Sequence, residues 1–123
     1  MTHEDFEFYL EMAQKDGLSL RFVKQTEEIC LAAVRQNGWA LQFVEEQTPK
    51  ICMAAVKQDG RALEYVKEQT PEICLAAIKQ WGDVLEYVEK QTQEICLEAV
   101  RRKRGVLEIH VKEEFKDYVL ENL

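Results

Sequence analysis

Apolar residues occur in short bursts that recur at one interval. Ile29-Cys-Leu-Ala-Ala-Val34, Ile51-Cys-Met-Ala-Ala-Val56, Ile73-Cys-Leu-Ala-Ala-Ile78 and Ile95-Cys-Leu-Glu-Ala-Val100 follow one another at 22-residue steps. A threonine opens each burst (Thr26, Thr48, Thr70, Thr92), and Gly38, Gly60 and Gly82 close the first three. A second apolar block follows each glycine: Leu41-Gln-Phe-Val44, Leu63-Glu-Tyr-Val66 and Leu85-Glu-Tyr-Val88. Worn copies flank these. Asp5–Gly17 aligns with the first block, placing Asp5 at the threonine position and Tyr9 at the cysteine position, and Leu20–Val23 matches the second block one residue short. At the other end Gly105 comes one residue late, and Val106–His110 stands where Val84–Val88 stood; His110 replaces the valine of a core position and reads as a half-buried packing or capping histidine. A fixed period in this range marks stacked repeats with atypical ends. The chain reads as one domain, 1–123, of five units at about 5–25, 26–47, 48–69, 70–91 and 92–123.

Each unit predicts a pair of short helices. Threonine is an N-cap residue, Pro49 and Pro71 suit the first helical position, and Glu28, Glu72 and Glu94 complement the N-terminal dipole. The run Ile-Cys-Leu-Ala-Ala-Val could stand alone as a buried strand; the caps, the paired alanines and the Lys/Gln/Glu context favour helix. Asn37-Gly38 and Asp59-Gly60 predict a left-handed C-cap. The second helix is expected to run seven or eight residues, with Ala40, Leu41, Phe43 and Val44 on its inner face. Helices this short are marginal alone, so stacking must stabilise them. From Val106 to Leu123, the residues Leu107, Val111, Phe115, Tyr118 and Val119 keep a 3.6-residue period, which predicts one longer amphipathic helix capping the stack. The expected architecture is an all-α, short α-solenoid of helical hairpins with that capping helix.

Charge and composition narrow the function. Sixteen Lys+Arg against twenty-three Asp+Glu leave a net charge of −7 and a pI near 4.9, which disfavours a general nucleic-acid binder. No apolar run reaches the roughly 20 residues of a membrane span, and no secretory leader precedes the repeats. One serine and two histidines leave little polar chemistry for catalysis. The four cysteines lack the C-x₂₋₄-C pairs of zinc sites, and neighbouring repeat positions, about 9–10 Å apart, are too distant for disulfides. They read as buried free thiols in a reducing, cytoplasmic setting, with no metal and no cofactor. A cysteine enzyme pairing a thiol with His3 or His110 is the competing chemistry, against which the repetition of the thiol in four of the five units argues. The run Arg101-Arg-Lys-Arg104 reads as cations at a helix C-terminus or as a phosphate or nuclear-import contact.

The turns between paired helices are where the units differ most: Asn37, Asp59 and Trp81, then Trp39, Arg61 and Asp83. Variation on a uniform scaffold points to outward residues free of packing duty, and exposed Trp and Arg are frequent interface anchors. Trp39, Arg61, Trp81 and Asp83 are therefore the candidate partner-binding residues. The alternative for each Trp is a ring folded onto the adjacent helix end. Ile109, Phe115, Tyr118, Leu120 and Leu123 are candidates for self-association as a homodimer, and a self-assembling structural module is the competing class of function.

The motif Thr-Pro-Glu-Ile-Cys-Leu-Ala-Ala-Ile-Lys-Gln-x-Gly-x-x-Leu-Glu-Tyr-Val, read from Thr70, resembles a repeat family classed as a domain of unknown function, frequent in intracellular bacteria such as Legionella and in algae and large viruses. The resemblance covers Asp5 to about Val111 and implies an all-helical, non-enzymatic repeat. Size, repeat content and acidity are also similar to a small Legionella inhibitor of effectors that deamidate and transglutaminate ubiquitin. That likeness implies a bacterial effector enzyme of the ubiquitin pathway as partner. Glu113-Glu114, Val119, Leu120 and Glu121 resemble a sparse version of the C-terminal signals of type IV secreted effectors, which implies translocation into a host cytosol; the alternative is the polar face of the last helix.

Overall fold

A computed structural model describes residues 1–123 and contains helices only. Seven α-helices run in the order α1 (His3–Lys15), α2 (Glu27–Gln36), α3 (Pro49–Gln58), α4 (Pro71–Ile78), α5 (Gln93–Arg102), α6 (Val106–Ile109) and α7 (Glu113–Asn122). Between the first five lie four 3₁₀ segments, η1 (Gly17–Phe22), η2 (Gly38–Phe43), η3 (Gly60–Tyr65) and η4 (Gly82–Tyr87). Each α-helix packs on the next along one layer, with α7 against α5, while η1 to η4 and then α6 form a second layer behind it. This is the expected all-α solenoid of hairpins. Its core is a single cluster of 32 buried apolar residues, and no polar or charged residue is buried.

The starts of the helices follow the sequence closely. Thr26, Thr48, Thr70 and Thr92 are extended N-caps whose hydroxyls accept the amides of Ile29, Ile51, Ile73 and Ile95 at 3.2–3.3 Å, each contact stabilising its helix by about 1 kcal/mol. Pro49 and Pro71 stand at the first helical position. The first unit differs. Its N-cap is Thr2, which accepts the Asp5 amide at 3.0 Å, so the cap of α1 stands three residues before the expected Asp5.

Three expectations need correction. The second element of units one to four is a six-residue 3₁₀ segment, shorter and tighter than an α-helix. Carboxylate or amide side chains start three of these segments: Asp16, Asn37 and Asp59 each accept the amide two residues on. The i to i+3 geometry then eclipses residues three apart, which places Leu41 and Val44 together in the core. Second, no residue has a positive φ, so the glycines are not left-handed caps. They are required by proximity: a Cβ on Gly60 would stand 2.7 Å from the Ala77 carbonyl oxygen of the next unit. Third, the C-terminal segment is two helices, broken at His110–Lys112. Gln91 holds both sides of that break, donating to the His110 carbonyl at 2.6 Å and accepting the Lys112 amide at 3.0 Å. Val106 keeps the 22-residue step from Val84, but an α-helical turn follows it where unit four has a 3₁₀ turn, with the His110 amide donating to the Val106 carbonyl. Val111 is therefore the buried valine at the end of this unit, and His110 is half-buried, as expected of a histidine at that position.

If close backbone approach is the reason for glycine, then Gly60→Ala should lower the free energy of unfolding by about 1–3 kcal/mol through overpacking. Gly105, with helical dihedrals and nothing within 4 Å of a built Cβ, provides the contrast. Gly105→Ala should raise stability by about 0.4–1 kcal/mol by restricting the unfolded chain. Urea titrations followed by circular dichroism measure both, and equal effects would refute the assignment.

Candidate partner-binding ridge

The turns joining each α-helix to its 3₁₀ partner line up along one edge of the solenoid, and three pairs of side chains link them. The Trp39 indole N–H donates to Asp59 Oδ2 at 2.9 Å. The guanidinium of Arg61 lies over the Trp81 ring at 5.5 Å, and Lys103 Nζ meets Asp83 Oδ2 at 2.7 Å. In each case residue i of one unit reaches residue i+20 or its inverse, two short of the repeat period. Trp39, Arg61 and Asp83 therefore have packing duty, contrary to expectation: their variation is matched by variation in the partner one unit on.

Asp59 organises the centre of this row. Both its oxygens accept from Arg61, at 3.1 Å from Nε and 2.9 Å from Nη2, while Oδ2 also accepts from Trp39. The Arg61 hydrogen bond, reinforced by that of Trp39, holds the Asp59 carboxyl below its ordinary range against the opposing effect of burial. Arg61 is also 5.6 Å from the Trp39 ring, so it stands between two indoles with its fork fixed by a carboxylate. Trp39 is half-buried, edge-on to Tyr65 at 5.8 Å. Trp81 is 50% exposed and caps no backbone group. Beside it Arg61, Trp81, Asp83, Val84, Glu86 and Tyr87 line an open hollow of about 240 Å³. Of the two readings of the tryptophans, Trp39 follows the folded one and Trp81 the exposed one.

The thiols lie on the opposite edge. Cys30, Cys52, Cys74 and Cys96 are free and buried, at most 3% exposed. Desolvation pushes Cys30, Cys74 and Cys96 up to about 11, with Glu45 adding to the effect at Cys30, and raises Cys52 in the same way. Each Sγ–H donates to the side-chain oxygen of the glutamine five residues earlier, at 3.2–3.6 Å. Apolar patterning does not single out those glutamines, although Gln25, Gln47, Gln69 and Gln91 recur at 22 residues, which is the signal that finds them. Gln47 shows their role: its Nε2 donates to the Tyr65 carbonyl at 2.8 Å and its Oε1 accepts the Lys67 amide at 3.0 Å. A second set, Gln36, Gln58 and Gln80, accepts the amides of Gly17, Gly38 and Gly60 along the ridge edge.

The C-terminal candidates divide. Ile109, Leu120 and Leu123 are exposed, whereas Phe115 and Tyr118 pack against the core. Of the basic run, Arg101 and Arg102 end α5, and Arg101, Arg102 and Lys103 contact the Asn122 carbonyl, Glu98 and Asp83. The helix-end reading accounts for those three.

A family described as a domain of unknown function, DUF4116, matches three overlapping stretches, 5–48, 26–70 and 49–93, which together cover well over half of the chain. The chain belongs to DUF4116. Each match spans two structural units, and successive matches start about one repeat apart. No curated protein and no solved structure matches it. No helix of this DUF4116 chain is long and apolar enough to cross a membrane.

The thiols supply a pH test. Their folded-state pKa lies above the ordinary 9.0, so their contribution to stability is fully present below pH 9 and is lost as pH rises towards about 11. Unfolding free energy should fall through that window, less steeply in Cys74→Ala. Native labelling by iodoacetamide at pH 8 should be uniformly slow and become fast in urea. One thiol reacting quickly in the folded protein would overturn this assignment.

Proposed function

We propose that this DUF4116 chain is a non-catalytic protein-binding repeat whose ridge around Trp81 docks on a partner enzyme. The observation that carries this reading is a half-exposed indole beside an arginine already fixed by Asp59, so that little side-chain freedom is lost on binding. Asp83 and Glu86 edge the same hollow and give it acceptors for a cationic or amide-bearing contact. The thiols, buried and pushed up by desolvation, support a binding role over a cysteine enzyme.

In the finer reading the partner is a bacterial effector enzyme acting on ubiquitin, of deamidase or transglutaminase type, and the ridge covers its substrate-binding surface. The buried free thiols suit a reducing cytosol, that of the producing cell or of a host reached by type IV secretion. Exposed Ile109, Leu120 and Leu123 favour a second reading, a homodimer through the C-terminal segment. Residues 105–123 hold five acids against two lysines, so such a dimer should tighten as added salt screens like charge. Sedimentation across salt concentration tests it, and the mass of a single chain at every concentration would remove it.

Calorimetric titration of the chain into a purified ubiquitin-deamidating effector tests the leading reading. Saturable binding, displaced by ubiquitin-conjugate substrate, is the expected result. Trp81→Ala should weaken it by at least about 30-fold, the scale of an interface anchor, while stability falls by no more than the roughly 0.5–1 kcal/mol of one exposed cation–π contact. Trp39→Ala is a poorer probe, because loss of the Asp59 contact also disturbs stacking. Unaltered affinity of Trp81→Ala would remove the ridge from the interface, and absence of heat at tens of micromolar would remove the effector.

A further inference from the structure

The outer face of the α layer carries a second surface, separate from the ridge. On each helix from α2 to α5, four residues at i, i+3, i+4 and i+7 share that face. They are Glu28, Leu31, Ala32 and Arg35 on α2, Glu72, Leu75, Ala76 and Lys79 on α4 (Lys79 being its C-cap), and Glu94, Leu97, Glu98 and Arg101 on α5. In these three the first position is acidic and the last basic. On α3 the set is Lys50, Met53, Ala54 and Lys57, with a cation at both ends.

This difference shapes the furrow between α2 and α3. Arg35, Lys50, Met53, Ala54, Lys57 and Gln58 line an open groove of about 500 Å³ without a single acid. None of its three cations belongs to an ion pair of the structure. The neighbouring furrow between α1 and α2 includes Glu28, two turns before the same Arg35 on α2. In a chain of net charge −7, three unpaired cations around a half-buried Met and Ala form a local field of the opposite sign.

We propose that the α2–α3 furrow binds an acidic amphipathic helix of a partner protein, lying along α3. The geometry sets its motif. Lys50 and Lys57 are seven residues apart on one helix, which is about 10.5 Å along the axis. A guest helix presenting acids at i and i+7 meets both lysines, and its apolar residues at i+3 and i+4 then rest on Met53 and Ala54. Arg35 flanks the guest from α2. The complementary face is Glu-x-x-Leu-Leu-x-x-Glu, the helix-in-groove mode with charged ends.

Anisotropy of a fluorescein-labelled, end-capped Ala/Gln peptide of about 16 residues carrying that face, titrated with the full chain, tests the proposal. Saturable binding is expected, weakening as salt rises from about 0.05 M to 0.5 M. Lys50→Glu together with Lys57→Glu should weaken it at least tenfold. Lys50→Glu alone copies what α2, α4 and α5 already carry, so it keeps the fold and should still weaken binding several-fold. A peptide of equal composition with its acids five residues apart should bind at least tenfold more weakly. Equal binding of that control, or no saturable binding, would overturn the proposal. So would a chain that sediments as a pair without peptide and as a single chain with Lys50→Glu, since a second copy would then be the occupant.

Discussion

Everything in this fold depends on the glutamines that hold the linkers of neighbouring units together. An α-helix of ten residues and a 3₁₀ segment of six cannot stand alone in water. Their linkers also expose backbone groups that no helix partner can reach. Gln25, Gln47, Gln69 and Gln91 supply a donor and an acceptor to the next linker from one side chain. Each also accepts the thiol of the following burst, which explains how a cysteine can be buried without an orphaned donor. On the opposite edge Gln36, Gln58 and Gln80 receive the glycine amides, and this brings the units close enough that no Cβ fits. The apolar core supplies the driving force, and the two glutamine rows fix the spacing at which it closes.

A third row gives the units their individuality. The Trp39–Asp59, Arg61–Trp81 and Asp83–Lys103 contacts use three different chemistries at one structural position. Each pair matches only its own neighbour, so the row distinguishes one junction from the next while the core stays uniform. The same row leaves Trp81 half-exposed beside a fixed cation, so the ridge combines a stacking role with an accessible aromatic face. Charge is divided in a similar way. Residues 1–16 hold five acids against one lysine and residues 105–123 five against two, so the end segments carry the whole net charge and the stacked middle is balanced. Acidic ends keep the last exposed apolar residues in water, and the balanced middle allows a local basic furrow on α3.

Much of this was legible in one dimension. The 22-residue spacing, the threonine caps, the proline positions and the burial of the cysteines follow from local chemistry that acts within a few residues of each site. The glutamine rows were equally visible as a recurrence at the same period, but a polar residue in a helical repeat reads as solvated surface unless its partner is known. The ridge residues stand out in the sequence as variable turn positions, but their pairing does not, because a contact between i and i+20 becomes apparent only once the stacking offset is known. Local grounds make Gly60 a left-handed cap, whereas its reason lies in the Ala77 carbonyl of another unit.

The sequence by itself determined the repeat spacing, where helices α2 to α5 start and which face is apolar, since caps and periodicity are properties of neighbouring residues. The 3₁₀ form of the second elements, the break at His110–Lys112, the burial of Val111 and the pairing along the ridge were decided by tertiary structure. Each of these is imposed by a group from an adjacent unit: a carbonyl that excludes a side chain, or a glutamine that draws the backbone to itself. Stacking distance and register set those contacts, and neither quantity exists until the units have packed.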